Sequence, residues 1–394
     1  MKSIEFRAHG GGQPTSFSTL YLHIPFCAAK CRYCDFYSVR YDAEAAASYL
    51  GAIEKEIDLC RENGSIDDRV ELETVFFGGG TPSTFSAAEL TALCRIIRDS
   101  FTLAPGYEWT VECNPESFTP DKAAVLREGG VTRLTFGFQS LNDQELRILG
   151  RIHSADRCRI LLVEESLTPF TSIGVDLMYG LPGQSFEALA ETLDVIFTSS
   201  RVMHLSAYEL TIAEETPFGR HHRFLPLPVE KEMSRMTEGL WRLLKTNGFK
   251  QYEVSNFAKE GHRCRHNEAY WDHRPWLGLG CAAHSYLGEQ RFANIADLDS
   301  YLAMVADGRL PRDFIEEIDV PKRATEMVLL GLRRVKGIDT TTFLEKCGLS
   351  FEEFVNTKKM AEFIEEELLT FEPPFLRPTA RGLLVADAMA AALI

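Results

Sequence analysis

The sequence lacks the features that carry a chain into or across a membrane. It contains no run of about 18 apolar residues, the length that a transmembrane helix needs. Segment 1–12 is polar with a Gly-rich patch and lacks the apolar core of a signal peptide. Internal repeats and low-complexity tracts are also absent. We therefore expect a cytoplasmic protein with at most peripheral membrane contact.

Basic charge is also scarce. The 394 residues carry 42 Lys+Arg against 57 Asp+Glu, a formal net charge of -15. Because a surface that binds phosphate backbones is basic, we expect no nucleic-acid partner. The hydrophobic share of 45% is enough for a sizeable core, and the length suggests one large domain and a smaller one.

The cysteines are few and unevenly spread. Three of the ten, Cys27, Cys31 and Cys34, follow directly after the apolar run Leu20–Ile24. Thiolates at this spacing can hold one face of a [4Fe–4S] cluster and leave one iron open to another ligand. The alternatives are a zinc knuckle or redox-inert thiols. Zinc normally needs a fourth ligand at matching spacing, and no second close cysteine pair exists, so the pattern favours the cluster.

Strand and helix patterns alternate as far as Thr246. Six apolar, β-prone runs, each followed by a helical pattern, are Thr19–Ile24, Thr74–Phe77, Glu108–Cys113, Val131–Phe136, Ile173–Met178 and Val202–Tyr208. Six βα units predict an α/β fold, a partial (β/α)6 TIM-like barrel. Gly-rich and polar residues follow the strands, at the rim where parallel barrels hold ligands.

The pattern changes after the sixth unit. We predict a flexible tail over 1–15, the barrel over 16–250, a linking α+β segment over 251–320 and a mainly helical domain over 321–394. The linking segment is predicted to contain strands at Gln251–Phe257 and Tyr286–Asn294, and the last domain to end in a helix near Ala380–Leu393. Short helices followed by a small β-wing resemble a winged helix at fold level. Because 321–394 carries 10 Lys+Arg against 11 Asp+Glu, we interpret it as a packing or partner-binding domain rather than a DNA reader.

Several motifs together resemble one family. The cysteine motif followed by Gly78-Gly-Gly-Thr-Pro82 resembles radical S-adenosylmethionine (SAM) proteins. Tyr21-Leu-His-Ile-Pro-Phe-Cys27 resembles the oxygen-independent coproporphyrinogen III oxidase group, and His266-Asn-Glu-Ala-Tyr-Trp271 resembles its heme chaperone branch, HemW. The resemblance implies a [4Fe–4S] cluster, SAM, heme as cargo, and an apo-hemoprotein acceptor such as one of a respiratory chain.

Phe36 distinguishes two functions within that group. Coproporphyrinogen dehydrogenases of the group carry a fourth cysteine two residues after the third ligand, where this chain has Phe36. The stretch before the first strand is also short for an oxidase. The resemblance therefore implies a heme chaperone. The alternatives are an oxygen-independent coproporphyrinogen III dehydrogenase, which decarboxylates by radical chemistry, and another radical SAM enzyme that shares only the scaffold.

Residue chemistry suggests how SAM is held. Gly78–Gly80 allow close backbone approach, although a strand-to-helix turn alone would also explain them. Glu112 can accept hydrogen bonds from ribose hydroxyls, and Gln139 can both donate and accept. Asp176 is an ionisable group in an apolar run, which is costly without a partner or ligand. Arg151 can bind a carboxylate bidentately or be merely solvated.

The resemblance extends these contacts residue by residue. It implies SAM-contact positions at Tyr21, Gly79, Gly80, Thr81, Glu112, Gln139, Arg151 and Asp176. Tyr33 and Phe36 flank the last cluster ligand and would pack against the cluster and adenine; the alternative is that both are ordinary core aromatics. No residue is assigned a catalytic role.

A heme ligand is predicted at His266. Heme needs an axial donor beside apolar walls, and His266 lies in a stretch rich in aromatic residues. A lone histidine is often structural, so a satisfied core imidazole is the alternative. His23, Cys281 and His284 are further possible donors.

Overall fold

The computed structural model describes residues 17–67 and 69–394, so the predicted tail 1–15 lies outside the described residues. The strands are β1 (Thr19–Ile24), β2 (Phe26–Cys27), β3 (Val39–Arg40), β4 (Glu71–Gly79), β5 (Thr102–Cys113), β6 (Arg133–Gln139), β7 (Ser172–Tyr179), β8 (Val202–Glu209), β9 (Lys250–Gln251), β10 (Asn256–Ala258), β11 (Leu277–Leu279), β12 (His284–Leu287), β13 (Gln290–Asn294), β14 (Arg312–Glu317), β15 (Ile338–Asp339), β16 (Leu369–Glu372) and β17 (Phe375–Pro378).

The α-helices connect and cover these strands. They are α1 (Ala43–Glu62), α2 (Ala87–Ser100), α3 (Pro120–Glu128), α4 (Asp143–Leu149), α5 (Ala155–Val163), α6 (Phe186–Phe197), α7 (Pro217–Arg220), α8 (Glu230–Thr246), α9 (Arg265–Trp271), α10 (Leu298–Ala306), α11 (Val320–Leu332), α12 (Thr340–Cys347), α13 (Phe351–Phe354), α14 (Thr357–Glu365), α15 (Ala380–Leu383) and α16 (Ala386–Leu393). Short 3-10 turns lie at Pro82–Thr84, Glu165–Leu167 and His222–Phe224. Among these helices, none combines the length and the apolar character that crossing a membrane requires.

The central sheet has nine strands in the order β11-β1-β4-β5-β6-β7-β8-β10-β9. The neighbours from β11 to β8 run parallel, and the hairpin of β9 and β10 adds antiparallel strands at one edge. The two edge strands, β11 and β9, are not joined to each other, so the barrel is open. The α/β partial barrel predicted from the sequence is confirmed, and the six predicted strands are six consecutive members of it.

The linking segment differs from its prediction. The single strand predicted at Gln251–Phe257 is the hairpin β9–β10, and the one at Tyr286–Asn294 is the hairpin β12–β13, which turns at Gly288 with a positive φ of 62°. Strand β11 was not predicted, because three residues are too short to show a period. It nevertheless pairs with β1 and extends the barrel sheet beyond its first strand.

The faces of β1 show how the barrel sorts its side chains. Leu20, Leu22 and Ile24 are fully buried in the layer between sheet and helices. The alternate residues Tyr21 and His23 therefore face the barrel interior, because successive strand side chains point to opposite faces. The polar side chains of this strand are thus directed toward the space that the barrel encloses.

The C-terminal domain has its own core. Residues of α11, α12, α13 and α16 pack around Phe343, which is fully buried. Strands β15, β17 and β16 form a three-stranded antiparallel sheet, the predicted β-wing. The predicted last helix is broken into α15 and α16 around Leu384 and Val385.

A few polar contacts join this domain to the barrel. Val254 N donates to Arg333 O at 2.9 Å, and Val335 N donates to Tyr252 O at 3.1 Å. Asp272, directly after α9, forms an ion pair with Arg334. The C-terminal domain is therefore attached to the barrel beside α9, next to the edge of the sheet that ends in β9.

Glu56 fastens α1 to the linking segment. Its carboxylate is 1% exposed and accepts hydrogen bonds from Gly280 N at 2.9 Å, Asn294 Nδ2 at 2.6 Å and Tyr301 OH at 2.6 Å. These donors lie after β11, on β13 and on α10. One buried carboxylate thus connects the first helix to three later elements.

Replacing Glu56 tests this anchor. Glu56→Ala leaves three buried donors without their acceptor, so we expect the free energy of unfolding to fall by roughly 2–5 kcal/mol. Glu54→Ala, at an exposed position on the same helix, is the matched control and should change stability little. Urea denaturation of both variants measures the difference. Equal stability of the two variants would contradict the anchoring role.

Candidate functional site

The cysteine loop is fixed at its base and near its middle. Strands β2 and β3 pair in parallel, with Phe26 opposite Val39 and Cys27 opposite Arg40. Arg32 N donates to Leu149 O, at the end of α4, over 3.0 Å. Residues 28–38 therefore leave and rejoin the rim of the barrel at the C-terminal end of β1.

The three loop cysteines differ from the other seven in exposure. Cys27, Cys31 and Cys34 are half-buried free thiols, whereas the remaining cysteines are buried. Partial burial raises the pKa of the Cys27 thiol and raises the pKa of Cys34 to about 11. Three accessible sulfurs on one short loop fit the ligand set of an iron–sulfur cluster, since the metal supplies the charge that stabilises each thiolate.

Hydrogen-bond donors surround these sulfurs. Arg151 Nη1 donates to Cys31 Sγ at 3.4 Å, and Thr81 Oγ1 lies 3.6 Å from Cys27 Sγ. Such donors stabilise thiolate sulfur and tune a cluster's potential.

Over residues 17–67 and 69–394, no three His, Cys, Asp or Glu side chains surround one point as ligands of a single metal ion. In an iron–sulfur cluster each cysteine binds a different iron atom, so the three cysteine sulfurs do not converge on one point.

Arg151 links the loop to two strand ends. Its Nη2 donates to Asn114 Oδ1 at 2.6 Å, after β5, and to Gly137 O at 2.7 Å, on β6. The guanidinium is hydrogen-bonded to protein atoms, so the solvated alternative is not supported. Both terminal nitrogens already have protein partners, while Nε has none within the described part of the chain. To bind a SAM carboxylate bidentately, Arg151 would therefore have to give up hydrogen bonds to its present protein partners.

The glycines after β4 are required by close packing. Gly79 has a φ of 106°, and a Cβ there would lie 2.5 Å from Cε1 of His23. A Cβ on Gly80 would lie 2.7 Å from Phe26 O. These contacts alone account for the two glycines, so their contact with SAM stays a prediction. Thr81 is buried beside them and accepts a hydrogen bond from Asn114 Nδ2 at 2.9 Å.

Two carboxyl groups lie close together inside the barrel mouth. Glu112, on β5, accepts from Gly79 N at 3.2 Å; burial and the nearby Asp176 charge raise its pKa to about 8. Asp176, on β7, accepts from Thr135 Oγ1 at 3.2 Å, and burial raises its pKa. The hydrogen bonds that the Asp176 carboxyl group accepts come from hydroxyl groups rather than from a cationic side chain. Acidic groups held at a strand end without a counter-ion are suited to receive a cationic ligand that brings donors, as SAM does.

Tyr21 and Gln139 complete the rim. The Tyr21 hydroxyl lies 3.2 Å from His23 Nδ1, and its ring stacks on Phe76. Gln139 ends β6 with a positive φ of 65°, at a register irregularity between β6 and β7. A non-glycine residue in this conformation is uncommon and tends to occur at functional sites.

The two aromatic residues that flank the last cluster ligand lie in different environments. Tyr33 is half-buried and packs with Leu149, Met178 and Phe218 in a small apolar cluster, so its core alternative is supported. Phe36 is 62% exposed, so its interpretation as an ordinary core aromatic is wrong. Its predicted contact with adenine stays a prediction.

His266 is not available as a heme ligand in this structure. The ring is 1% exposed, with Nδ1 at 3.0 Å from Thr74 Oγ1 and Nε2 at 2.9 Å from Tyr270 OH. Burial lowers its pKa to about 3. Both nitrogens are occupied and solvent does not reach the ring, so the structural alternative accounts for this histidine and the predicted iron ligation is not supported.

The sequence reasoning missed Asn114. Its side chain donates to Thr81 and accepts from Arg151, and so connects the turn after β4 to the cysteine loop. An amide side chain directly after a strand whose penultimate residue is Glu112 was the available signal.

Two family models match the chain. The radical SAM superfamily model covers residues 21–196, and the HemN C-terminal domain model covers residues 318–385. The first spans the cysteine loop and the strand ends from β1 to β7. The second begins just before α11 and covers most of the C-terminal domain.

Curated relatives match nearly the whole chain. Proteins named heme chaperone HemW from Bacillus subtilis and Mycobacterium tuberculosis are both 34% identical to it. The first alignment covers 84% of this chain and 87% of the relative, and the second covers 97% and 95%. The Escherichia coli protein of the same name is 31% identical, over 94% of this chain and 96% of its own length.

A solved structure shares the fold. The Escherichia coli coproporphyrinogen III oxidase HemN, described as a radical SAM enzyme, superposes with a TM-score of 0.84 at 22% identity. The superposition covers 96% of this chain and 90% of the other. At this identity the likeness establishes the architecture and carries no statement about activity.

The raised pKa of Glu112 predicts a pH-dependent stability. A carboxyl group in the unfolded chain titrates near pH ~4.3, whereas Glu112 titrates at about 8 in the folded protein. Between these values the unfolded state loses its proton first, so this group's stabilising contribution declines as the pH rises through about 8. Glu112→Gln cannot ionise and should be more stable than wild type by roughly 1–3 kcal/mol at high pH.

Thermal melting from about pH 5 to about pH 9 measures this difference. The advantage of Glu112→Gln should grow up to about pH 8 and then stay constant. Glu71→Gln, at an exposed position on β4, is the control and should follow wild type. A pH-independent difference between Glu112→Gln and wild type would show that Glu112 titrates normally.

Proposed function

Because the chain belongs to the HemW family of the radical SAM superfamily, we propose that it is a heme chaperone. In this proposal it carries a [4Fe–4S] cluster on Cys27, Cys31 and Cys34, binds SAM at the barrel mouth, and holds heme for delivery to an apo-hemoprotein such as one of a respiratory chain. The observation that carries the proposal is the match to HemW proteins along 97% of the chain.

Phe36 supports this choice over the oxidase. The position where group dehydrogenases carry a fourth cysteine holds an exposed phenylalanine, which cannot supply a thiol. The likeness to coproporphyrinogen III oxidase concerns the fold, because the two chains are 22% identical.

The residues of the mouth would hold and shield the cofactors. A bound cluster supplies one electron and an open iron site at which SAM can coordinate. Arg151 and Thr81 would direct donors at the cysteine sulfurs, while Glu112 and Asp176 would face the sulfonium and ribose. Tyr21 and Phe76 form an apolar wall that limits the entry of water.

The same proposal locates the protein in the cytoplasm. All ten cysteines are free thiols, as expected in a reducing compartment. Contact with a membrane-bound acceptor would then be peripheral.

Cysteine replacement tests the cluster. After anaerobic reconstitution with iron and sulfide, wild type should show the broad absorbance of an iron–sulfur cluster. The variant with Cys27, Cys31 and Cys34 all changed to Ser should lose that absorbance and the bound iron. Cys347→Ala, in the C-terminal core, is the control and should keep both. A triple variant that retained full iron content and chromophore would contradict the assignment.

Two assays on the reconstituted protein separate the chaperone from the oxidase. We expect the Soret band of added hemin to shift and sharpen relative to free hemin, and we expect transfer of that heme to an apo-hemoprotein. We expect no conversion of coproporphyrinogen III in the presence of SAM and a reductant. Turnover of coproporphyrinogen III would favour the enzyme, and a Soret band that stays identical to that of free hemin would eliminate the heme-chaperone proposal.

A further inference from the structure

A cavity of about 700 Å³ lies at the end of the barrel opposite to the cysteine loop. It is enclosed by the first residues of β6 and β7, by residues 106–108 of β5 and by the turn 259–263 after β10. The cysteine loop follows the C-terminal end of β1, whereas β6 and β7 begin at this cavity, so the length of the parallel sheet separates the two. The cavity therefore does not belong to the site at the barrel mouth.

The walls of this cavity are basic, although the chain as a whole is acidic. Five Lys or Arg side chains line it against three Glu, in a chain whose formal net charge is -15. The pair Lys250–Glu260 is solvent-exposed, so it contributes little stability and its cation remains available to a ligand. Lys259 has no carboxylate partner among the residues that the structure describes. A wall of this kind attracts an anion.

The floor of the cavity contains a buried guanidinium. Arg133, the first residue of β6, is 3% exposed. Its Nη1 donates to His262 O at 3.0 Å, whereas its Nη2 has no hydrogen-bond partner in the described part of the chain. Glu108 Oε2 lies 3.8 Å from Nη1, which is too far for a hydrogen bond. Because a buried charge is costly unless it is paired and hydrogen-bonded, the free nitrogen indicates that a further acceptor belongs in this cavity.

The Glu108 carboxylate is engaged by other donors. It accepts hydrogen bonds from Arg265 N at 3.2 Å, from His266 N at 3.1 Å and from Cys264 Sγ at 3.5 Å. These donors fix the start of α9 and share the charge of the carboxylate, so Glu108 offsets the charge of Arg133 only in part. Positive charge at the floor is therefore left for another anion.

Two more polar atoms of the cavity walls lack partners. Ser172 Oγ, at the start of β7, and His262 Nδ1 have no hydrogen-bond partner within residues 17–67 and 69–394. Ser172 is 4% exposed. Burial and the charges of Arg133 and Lys259 lower the pKa of His262, so its ring is neutral and can carry a proton on Nδ1. Because buried polar atoms without partners are rare, three of them around one cavity indicate a ligand.

The arrangement of these donors favours a phosphate group over a carboxylate. The donors come from three separate elements, namely β6, β7 and the turn after β10. The tetrahedral oxygens of a phosphate group can meet donors from three sides, whereas the two oxygens of a carboxylate lie in one plane with its carbon. Cavities for small organic ligands measure about 300–1,000 Å³, so this one has room for more than the phosphate itself.

We propose that this cavity binds the phosphate group of a small phosphorylated molecule. Arg133 Nη2, Ser172 Oγ and His262 Nδ1 donate to the phosphate oxygens, and Lys259 supplies a second positive charge. The site is independent of the cluster and of the heme-chaperone function proposed above. Strand β6 then contributes ligand contacts at both ends, through Arg133 at its first residue and through Gln139 at its last.

Calorimetric titration of the full chain with sodium phosphate and with glucose 6-phosphate tests the site. Wild type should bind both, and glucose 6-phosphate more tightly, because the cavity has room for the sugar. Two variants leave the buried guanidinium in place. Lys259→Glu reverses a charge in the wall and should weaken the binding of both by about tenfold or more, whereas Ser172→Ala removes one donor and should weaken it by about fivefold. Lys358→Glu, the same change of charge at an exposed position on α14, is the matched control and should bind as wild type does.

Competition experiments test where the phosphate binds and what the site selects. Succinate, a dicarboxylate, should bind more weakly than phosphate, and SAM, which has no phosphate group, should not displace bound phosphate. Absence of phosphate binding by wild type, or wild-type affinity in both Lys259→Glu and Ser172→Ala, overturns the site. Displacement by SAM would place the phosphate at the barrel mouth instead. Succinate binding as tight as that of phosphate overturns the selection of phosphate, and weaker binding of glucose 6-phosphate than of the free ion overturns the organic ligand.

Discussion

The site depends on the hydrogen bonds of one guanidinium. Arg151 follows the left-handed glycine that ends α4, and its two terminal nitrogens reach Cys31, Asn114 and Gly137. It thereby joins the cysteine loop after β1 to the ends of β5 and β6. Asn114 continues the connection to Thr81, which lies beside Cys27. A cation so placed orders the loop and offsets negative charge on its sulfurs, so the same contacts serve structure and electrostatics.

Much of the barrel could be predicted because its signals are local. Each of the six strands is an apolar run of ordinary length between helical patterns, and parallel pairing then brings their C-terminal ends together. Strand β11 escaped prediction because it is three residues long and exists only through pairing with β1. The break between α15 and α16 was likewise invisible, since Leu384 and Val385 continue the apolar pattern while facing a cleft formed by another part of the chain.

The candidate site residues also divide into those that local sequence identifies and those whose role depends on distant parts of the chain. Residue type identified Cys27, Cys31, Cys34 and Asp176 as candidates, since clustered thiols and a carboxyl in an apolar strand need a chemical reason. Gln139 was a candidate through its amide and through the resemblance, and its left-handed backbone conformation became visible only in three dimensions. His266 shows the limit of residue type alone: a histidine among aromatics suggests a ligand, but whether its nitrogens are free depends on Thr74, which is 192 positions away along the chain. Long-range partners of this kind cannot be inferred from one sequence.

The attachment of the C-terminal domain has a physical consequence. The barrel and the C-terminal domain have separate hydrophobic cores, and between Tyr252–Val254 and Arg333–Val335 they are connected by two main-chain hydrogen bonds. The ion pairs Asp272–Arg334, His273–Glu326 and Arg291–Glu326 strengthen this connection, and Lys346 Nζ donates to Asp272 O and His273 O. The interface between the two domains is therefore polar, and salt weakens it more than it weakens either core.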